Sequence, residues 1–214
     1  MLVHGRTIEK ATAAVAAIRA DAPRADLVPV AGNFAALDEV RALSEMIATE
    51  TTALDILVHN AGLLTTTPQT SADGHELQWA VNQYAPFLLN AVLLPLLRAA
   101  PSARVVVVSS HMHRRARLNA DDLGTERSPY SGIDVYARTK LANILFSNEL
   151  ARRLAGSRIT SNALHPGVAA THLGHRMNGL PGLFMTLSRP FLPLPEIGAR
   201  TSLHLASSPL IAGV

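Results

Sequence analysis

The 214-residue chain predicts an α/β fold: a parallel sheet covered by helices on both faces. Three observations carry this. Short apolar runs alternate with helix-patterned stretches along the whole chain. Two of the runs, Leu54–His59 and Arg104–Val108, read as near-continuous apolar strands, as expected where both sheet faces are covered. Finally, Asn60, the Ser109-Ser110 pair and the Pro166-Gly167 break each follow directly on a run, where parallel sheets bind their ligands.

The elements follow in order. Leu2–His4 reads as the end of a strand, and Thr7–Ala20 as a helix with Ile8, Ala11, Val15 and Ile18 on one stripe. Leu27–Val30 is a short strand. Leu37, Val40, Leu43 and Ile47 mark the next helix, and Leu54–His59 the next strand. A long helical stretch runs from about Asp73 to Ala100 and leads into the strand Arg104–Val108. Residues 111–132 are polar and punctuated by Gly and Pro, and are expected to form an active-site loop. Val135–Leu154 is a strong helix, Ile159–Leu164 a strand, and Glu196–Ser207 a closing helix. Between these last two, residues 174–195 carry three glycines and four of the prolines, and are read as a substrate lid. The whole of 1–214 is taken as one domain.

Composition narrows the function classes. With no cysteine, the chain has no disulfide, thiolate zinc site or iron–sulfur cluster. The pI is 9.8, yet the net charge is +3 and the arginines are scattered apart from Arg114, Arg115 and Arg117, so no nucleic-acid partner is expected. His111 and His113 lack a carboxylate or third histidine at ligand spacing, and no metal is expected. The most apolar run, Phe87–Leu97, is short for a bilayer span and contains Asn90 and Pro95, and no signal peptide is legible. A soluble, cytoplasmic protein without a membrane anchor is the expectation, with a homodimer allowed for.

Chemistry concentrates in Tyr136-Ala137-Arg138-Thr139-Lys140. Residues four apart share one helix face, and an ammonium beside a phenol favours the phenolate. The tyrosine can then move protons near neutral pH. The chain has two lysines, Lys10 and Lys140, against seventeen arginines, which marks the lysine at this position.

With these residues in view the chain resembles the short-chain dehydrogenase/reductases. Asn60-Ala61-Gly62 matches their Asn-Ala-Gly turn, Ser110 their serine, Tyr136 and Lys140 their Tyr-x-x-x-Lys, and Asn82 their helix asparagine. His165-Pro166-Gly167 with Thr171 matches the Pro-Gly turn and the threonine at the nicotinamide end. Lys140-Leu141-Ala142-Asn143-Ile144-Leu145-Phe146 and the long Ser-to-Tyr interval are similar to the retinol dehydrogenase-like subgroup. The resemblance implies a Rossmann-like three-layer sandwich and an oxidoreductase that interconverts an alcohol and a carbonyl.

It also implies roles. Tyr136 exchanges a proton with the substrate oxygen while hydride passes to or from the nicotinamide, and Ser110 hydrogen-bonds that oxygen. Lys140 holds the nicotinamide ribose and lowers the Tyr136 pKa, and Asn82 anchors a water that links Lys140 to solvent. Asn60, Ala61, Gly62, Pro166, Gly167 and Thr171 are the remaining expected contacts at that end of the cofactor. Arg6, just past the second family strand, favours NADP over NAD, because a guanidinium suits a 2′-phosphate. Asn33 stands where the family has an aspartate; its amide oxygen can still accept from the adenine amino group.

Two family features are missing: the opening strand with its Thr-Gly-x-x-x-Gly-x-Gly turn, and the last strand. The glycine turn places backbone N–H groups against the pyrophosphate. The chain as written is therefore expected to bind cofactor weakly or not at all, and the strand Leu54–His59 is expected to have an open edge. A second reading follows: a truncated or degenerate member without activity that serves as an interaction module.

Overall fold

A computed structural model of the chain describes residues 1–123, 129–167, 195–211 and Gly213. Strand β1 (Leu2–Gly5) turns at Gly5 into helix α1 (Ile8–Asp21). The turn is so tight that a Cβ on Gly5 would stand 2.5 Å from the Ala11 nitrogen. Strand β2 (Val28–Ala31), helix α2 (Leu37–Glu50) and strand β3 (Ile56–His59) follow. The long helical stretch comprises α3 (Leu77–Trp79), a π-helical turn (Ala80–Tyr84) and α4 (Ala85–Ala99). Then come β4 (Ala103–Val108), short 3-10 turns at His111–Arg115 and Ala120–Asp122, α5 (Gly132–Arg153), β5 (Ile159–Leu164) and α6 (Pro195–Ser207).

All strand pairs are parallel, and two layers of helix cover them. On one face α2 and α4 meet over Val30 and Phe34, with Leu2, Val28, Leu54 and Leu57 packed beneath. Leu97 and Leu154 extend this layer over Val105, Val107 and Ile159. On the other face α6 lays Leu205 and Ala206 on Val106, Val108 and Leu164, while α1 packs on β1 and β2 outside these clusters. The α/β sandwich read from the sequence is the fold.

Element ends differ where a hydrogen bond decides them. The long helix begins at Leu77 and not near Asp73, because the Glu76 carboxylate caps it by accepting the Trp79 N–H at 2.9 Å. Strand β3 begins at Ile56 because the Leu54 N–H turns instead to the Leu96 carbonyl at 3.0 Å. Helix α5 begins at Gly132, three residues earlier than the apolar pattern predicts, capped by the Ser131 hydroxyl. The π turn keeps the helix unbroken, so Leu77–Ala99 runs for 23 residues and is long and apolar enough to cross a membrane. The shorter run Phe87–Leu97 understates it. Gln78, Asn82 and Asn90 are buried on its inner face, as in a core helix. The expected lid at 174–195 lies, but for Pro195, outside the described residues, and so does Thr171.

Among the described residues the sheet is split. β1 pairs with β2, and β3–β4–β5 form a second sheet, with no ladder between β1 and β3. The Arg104 N–H bonds the Asp55 carbonyl at 2.8 Å. In a parallel strand the bonding side alternates residue by residue, so Ile56 and Val58 turn their main-chain groups away from β4. The two residues are 43% and 42% exposed, and among the described residues no strand pairs with this side of β3, the open edge anticipated above for Leu54–His59.

Hydrogen exchange should read that alternation directly. The Ile56 and Val58 amides are expected to exchange much faster than those of Leu57 and His59, which face β4. Equal protection of all four would mean that the second edge of β3 is covered.

Candidate active site

Beyond the carboxyl ends of β3 and β4 the chain must turn without blocking the cleft, and Gly62 shows how tight the fit is. A Cβ there would lie 3.2 Å from Lys140 Nζ and 3.5 Å from Asn82 Oδ1. Asn60, Ala61 and Gly62 themselves are exposed, so their main chain is open to a ligand. The turn is held by Asn82: its Oδ1 accepts the Leu63 N–H at 2.8 Å and its Nδ2 donates to the Leu63 carbonyl at 2.9 Å. Nδ2 also donates to Thr139 Oγ1 at 3.1 Å, which ties the turn to α5. The Asn82 side chain thus has a structural task that the family resemblance did not suggest. It sits in the π turn, whose widened ladder sets its side chain apart from a regular α-helical register.

The Ser109-Ser110 pair divides its work as strand alternation requires. Ser109 is buried and donates to the Lys140 carbonyl at 2.7 Å, fastening β4 to α5. Ser110, half-buried, accepts the Met112 N–H at 3.3 Å, and its hydroxyl is near enough to the Tyr136 phenol to act on the pKa of that group. Lys140, 3% exposed, donates from Nζ to the Val108 carbonyl at 3.0 Å and stands 5.5 Å from the centre of the Tyr136 ring. Tyr136, Ser110, Lys140 and Asn82 are therefore neighbours.

Burial sets the protonation of both key groups. It pushes the Tyr136 phenol above its ordinary 10.0, and the Ser110 hydrogen bond acts against this. Burial pulls the Lys140 ammonium from 10.5 to about 8. The expected lowering of Tyr136 by Lys140 is not among the causes that move the phenol. The ammonium lies over the ring and bonds a main-chain carbonyl, so desolvation outweighs their attraction.

The other expected cofactor residues are dispersed around this centre. Arg6 is exposed, one residue past β1. Asn33 Oδ1 accepts the Ala35 N–H at 3.2 Å and its own N–H donates to Glu39 Oε2 at 2.9 Å, so its amide already caps a local turn. At the end of β5, Pro166 is half-buried and Gly167 adopts φ +82°, a left-handed conformation that suits glycine. His165 Nδ1 accepts the His111 N–H at 3.2 Å, joining the β4 and β5 ends. Sequence reasoning missed one contributor. Asn143, one turn beyond Lys140, faces the Asn82 carbonyl at 2.9 Å once its amide is oriented to donate. His59, at the end of β3, is buried, and burial holds its pKa down at about 4.

A nicotinamide cofactor fits one half of this arrangement. The exposed Asn60–Gly62 main chain, the Lys140 ammonium beside it and the Gly167 turn are suited to a ribose and its attached ring. The sequence contains no Gly-x-x-x-Gly-x-Gly turn to receive the pyrophosphate.

The Lys140 shift has a consequence for stability. Its folded pKa of about 8 lies below the unfolded 10.5, so the unfolded chain binds more protons between these values and stability rises with pH across them. Denaturation midpoints at about pH 7.5 and about pH 9.5 should show a gain of about 2 kcal/mol for the unmodified chain. Lys140→Met should abolish the gain. A Lys140→Met protein with the same pH dependence would place the lysine in water.

The short chain dehydrogenase family model matches residues 1–179. Human retinol dehydrogenase 14 is 43% identical over 186 residues, covering 85% of this chain and 55% of that protein. Human retinol dehydrogenase 13 is 37% identical over 215 residues, covering 98% of this chain and 65% of that one. The chain thus spans somewhat more than half the length of these relatives. Among solved structures, a short chain dehydrogenase from Pseudomonas syringae superposes with a TM-score of 0.76 at 24% identity, covering 100% of this chain and 80% of that one. It shares the fold. The parallel sheet between helical layers agrees with the match over 1–179, and the chain belongs to the short chain dehydrogenase family.

Proposed function

We propose that the protein is an oxidoreductase that interconverts an alcohol and a carbonyl, with Tyr136 moving the proton. The observation that carries this is the placement of the Lys140 ammonium 5.5 Å from the centre of the Tyr136 ring, with the Ser110 hydroxyl close enough to pull the phenol's pKa down. Ser110 donates to the substrate oxygen and orients it towards Tyr136. Tyr136 gives its proton to that oxygen in reduction and takes it back in oxidation. Lys140 and the exposed Asn60–Gly62 main chain hold the nicotinamide ribose, and Arg6 reads an NADP 2′-phosphate. When bound, the nicotinamide supplies or accepts the hydride. The relatives are named for retinol, so a retinoid-sized alcohol or aldehyde is the first substrate to try.

The open edge of β3 supports a second reading, an interaction module that pairs through Ile56 and Val58. One experiment separates the two. The chain is assayed for reduction of a retinoid aldehyde at millimolar NADPH, a concentration chosen to offset weak pyrophosphate binding. Turnover is expected, with Tyr136→Phe lowering kcat by about 100-fold or more. Equal rates for the two proteins would remove Tyr136 from the chemistry, and no turnover at saturation would leave the interaction reading. In calorimetric titrations Arg6→Ala should raise the Kd for NADPH and leave that for NADH nearly unchanged. An equal change in both would show that Arg6 does not read the phosphate.

A further inference from the structure

Behind the cleft, the segments that carry the site meet at one side chain. Gln78 is fully buried, and its Nε2 lies 3.0 Å from the Gly132 carbonyl, 3.0 Å from Tyr130 Oη and 3.4 Å from the Thr65 carbonyl. Two carbonyls among three neighbours fix which end of the amide faces them, because only the nitrogen can donate. Its two hydrogens serve the two nearer groups. Tyr130 Oη donates to Glu76 Oε1 at 2.9 Å and stands 3.1 Å from Thr65 Oγ1. A phenol has one hydrogen and two lone pairs, so with Gln78 and Thr65 donating, every valence of this hydroxyl is used. The second Glu76 oxygen caps α3 at Trp79.

The packing leaves no slack. A Cβ on Gly132 would overlap the Thr65 carbonyl oxygen. Gly132 is the first residue of α5, and Tyr136 lies four residues on, one turn along the same face. Thr65 ends the stretch that starts at Gly62, and Gln78 lies four residues before Asn82 on the same helical run. The network therefore fixes the first turn of α5 against both elements that frame the cleft. Gln78 Oε1 has no hydrogen-bond partner among the described residues, so the side chain acts through its donor end.

We propose that Gln78 is a positioning residue for the Tyr136 phenol, acting through Tyr130 and the Gly132 carbonyl. This rests on the reading of Tyr136 as the proton-moving group, but its test does not need turnover. The chain has three tyrosines, Tyr84, Tyr130 and Tyr136. Ring-carbon-labelled tyrosine then gives three NMR signals, each assigned by a single Tyr→Phe change. Among the described residues the charged group that stands against the Tyr136 ring is Lys140, and the Ser110 hydroxyl acts on its phenol.

The titration midpoint of Tyr136 is measured in the unmodified chain, in Gln78→Leu and in Tyr130→Phe. Leu97→Val, a core truncation away from the network, serves as the stability control. Loosening the first turn of α5 lets water reach the phenol, so both network variants should lower the midpoint by about one pH unit, while Leu97→Val lowers Tm alone. In the turnover assay both should reduce kcat by about tenfold or more with KM within about threefold. An unmoved midpoint in Tyr130→Phe, which removes a single oxygen and keeps the ring, overturns the proposal even if Gln78→Leu fails to fold. A shifted midpoint beside undiminished activity in Tyr136→Phe would sustain the positioning and overturn the catalytic reading.

Discussion

Both main-chain groups of Leu63 are held by the carboxamide of Asn82, one bond in each direction. The site depends on this grip. It lays the exposed Asn60–Gly62 turn against the Lys140 ammonium, closely enough that a side chain on Gly62 would intrude. It also reaches α5 through Thr139, so the turn after β3 and the helix that carries Tyr136 share one anchor. A regular α-helical register would aim Asn82 elsewhere. The π turn at Ala80–Tyr84 aims it into the cleft and turns its own carbonyl towards the Asn143 amide.

Burial then sets the chemistry. Removing Tyr136 from water favours the neutral phenol, and removing Lys140 from water favours the neutral amine. Both shifts oppose a standing phenolate–ammonium pair. Each group is thus biased towards its neutral form in the folded chain. A phenolate at neutral pH would need stabilisation of roughly 4 kcal/mol beyond the unburied value, more than one desolvated lysine supplies. The positive charge of an oxidised nicotinamide is the natural second contributor.

The sheet shows what a strand edge costs when its neighbour is not a strand. β1–β2 and β3–β4–β5 lie in one layer because α2 and α4 bury residues of both beneath a shared cluster. Side-chain packing thus holds together what main-chain hydrogen bonds do not. The exposed Ile56 and Val58 mark where this substitution is incomplete.

By itself the sequence determined the alternation of strands and helices, the parallel sheet, and the candidate site as Ser110, Tyr136 and Lys140 with Asn60–Gly62. These are local signals: apolar runs bounded by turn residues, and a tyrosine and lysine one helical turn apart. Helix starts at Leu77 and Gly132 were displaced from the apolar pattern, because the caps at Glu76 and Ser131 are chosen by hydrogen bonds and not by periodicity. The π turn, the grip of Asn82 on Leu63 and the convergence of Gln78, Tyr130 and Glu76 were decided by tertiary structure alone. Their partners lie between 19 and 57 residues apart for Asn82 and up to 65 for the Gln78 network, and no spacing rule reaches across such distances. The direction of the Tyr136 and Lys140 shifts was decided there too, since it depends on how much water the folded chain excludes.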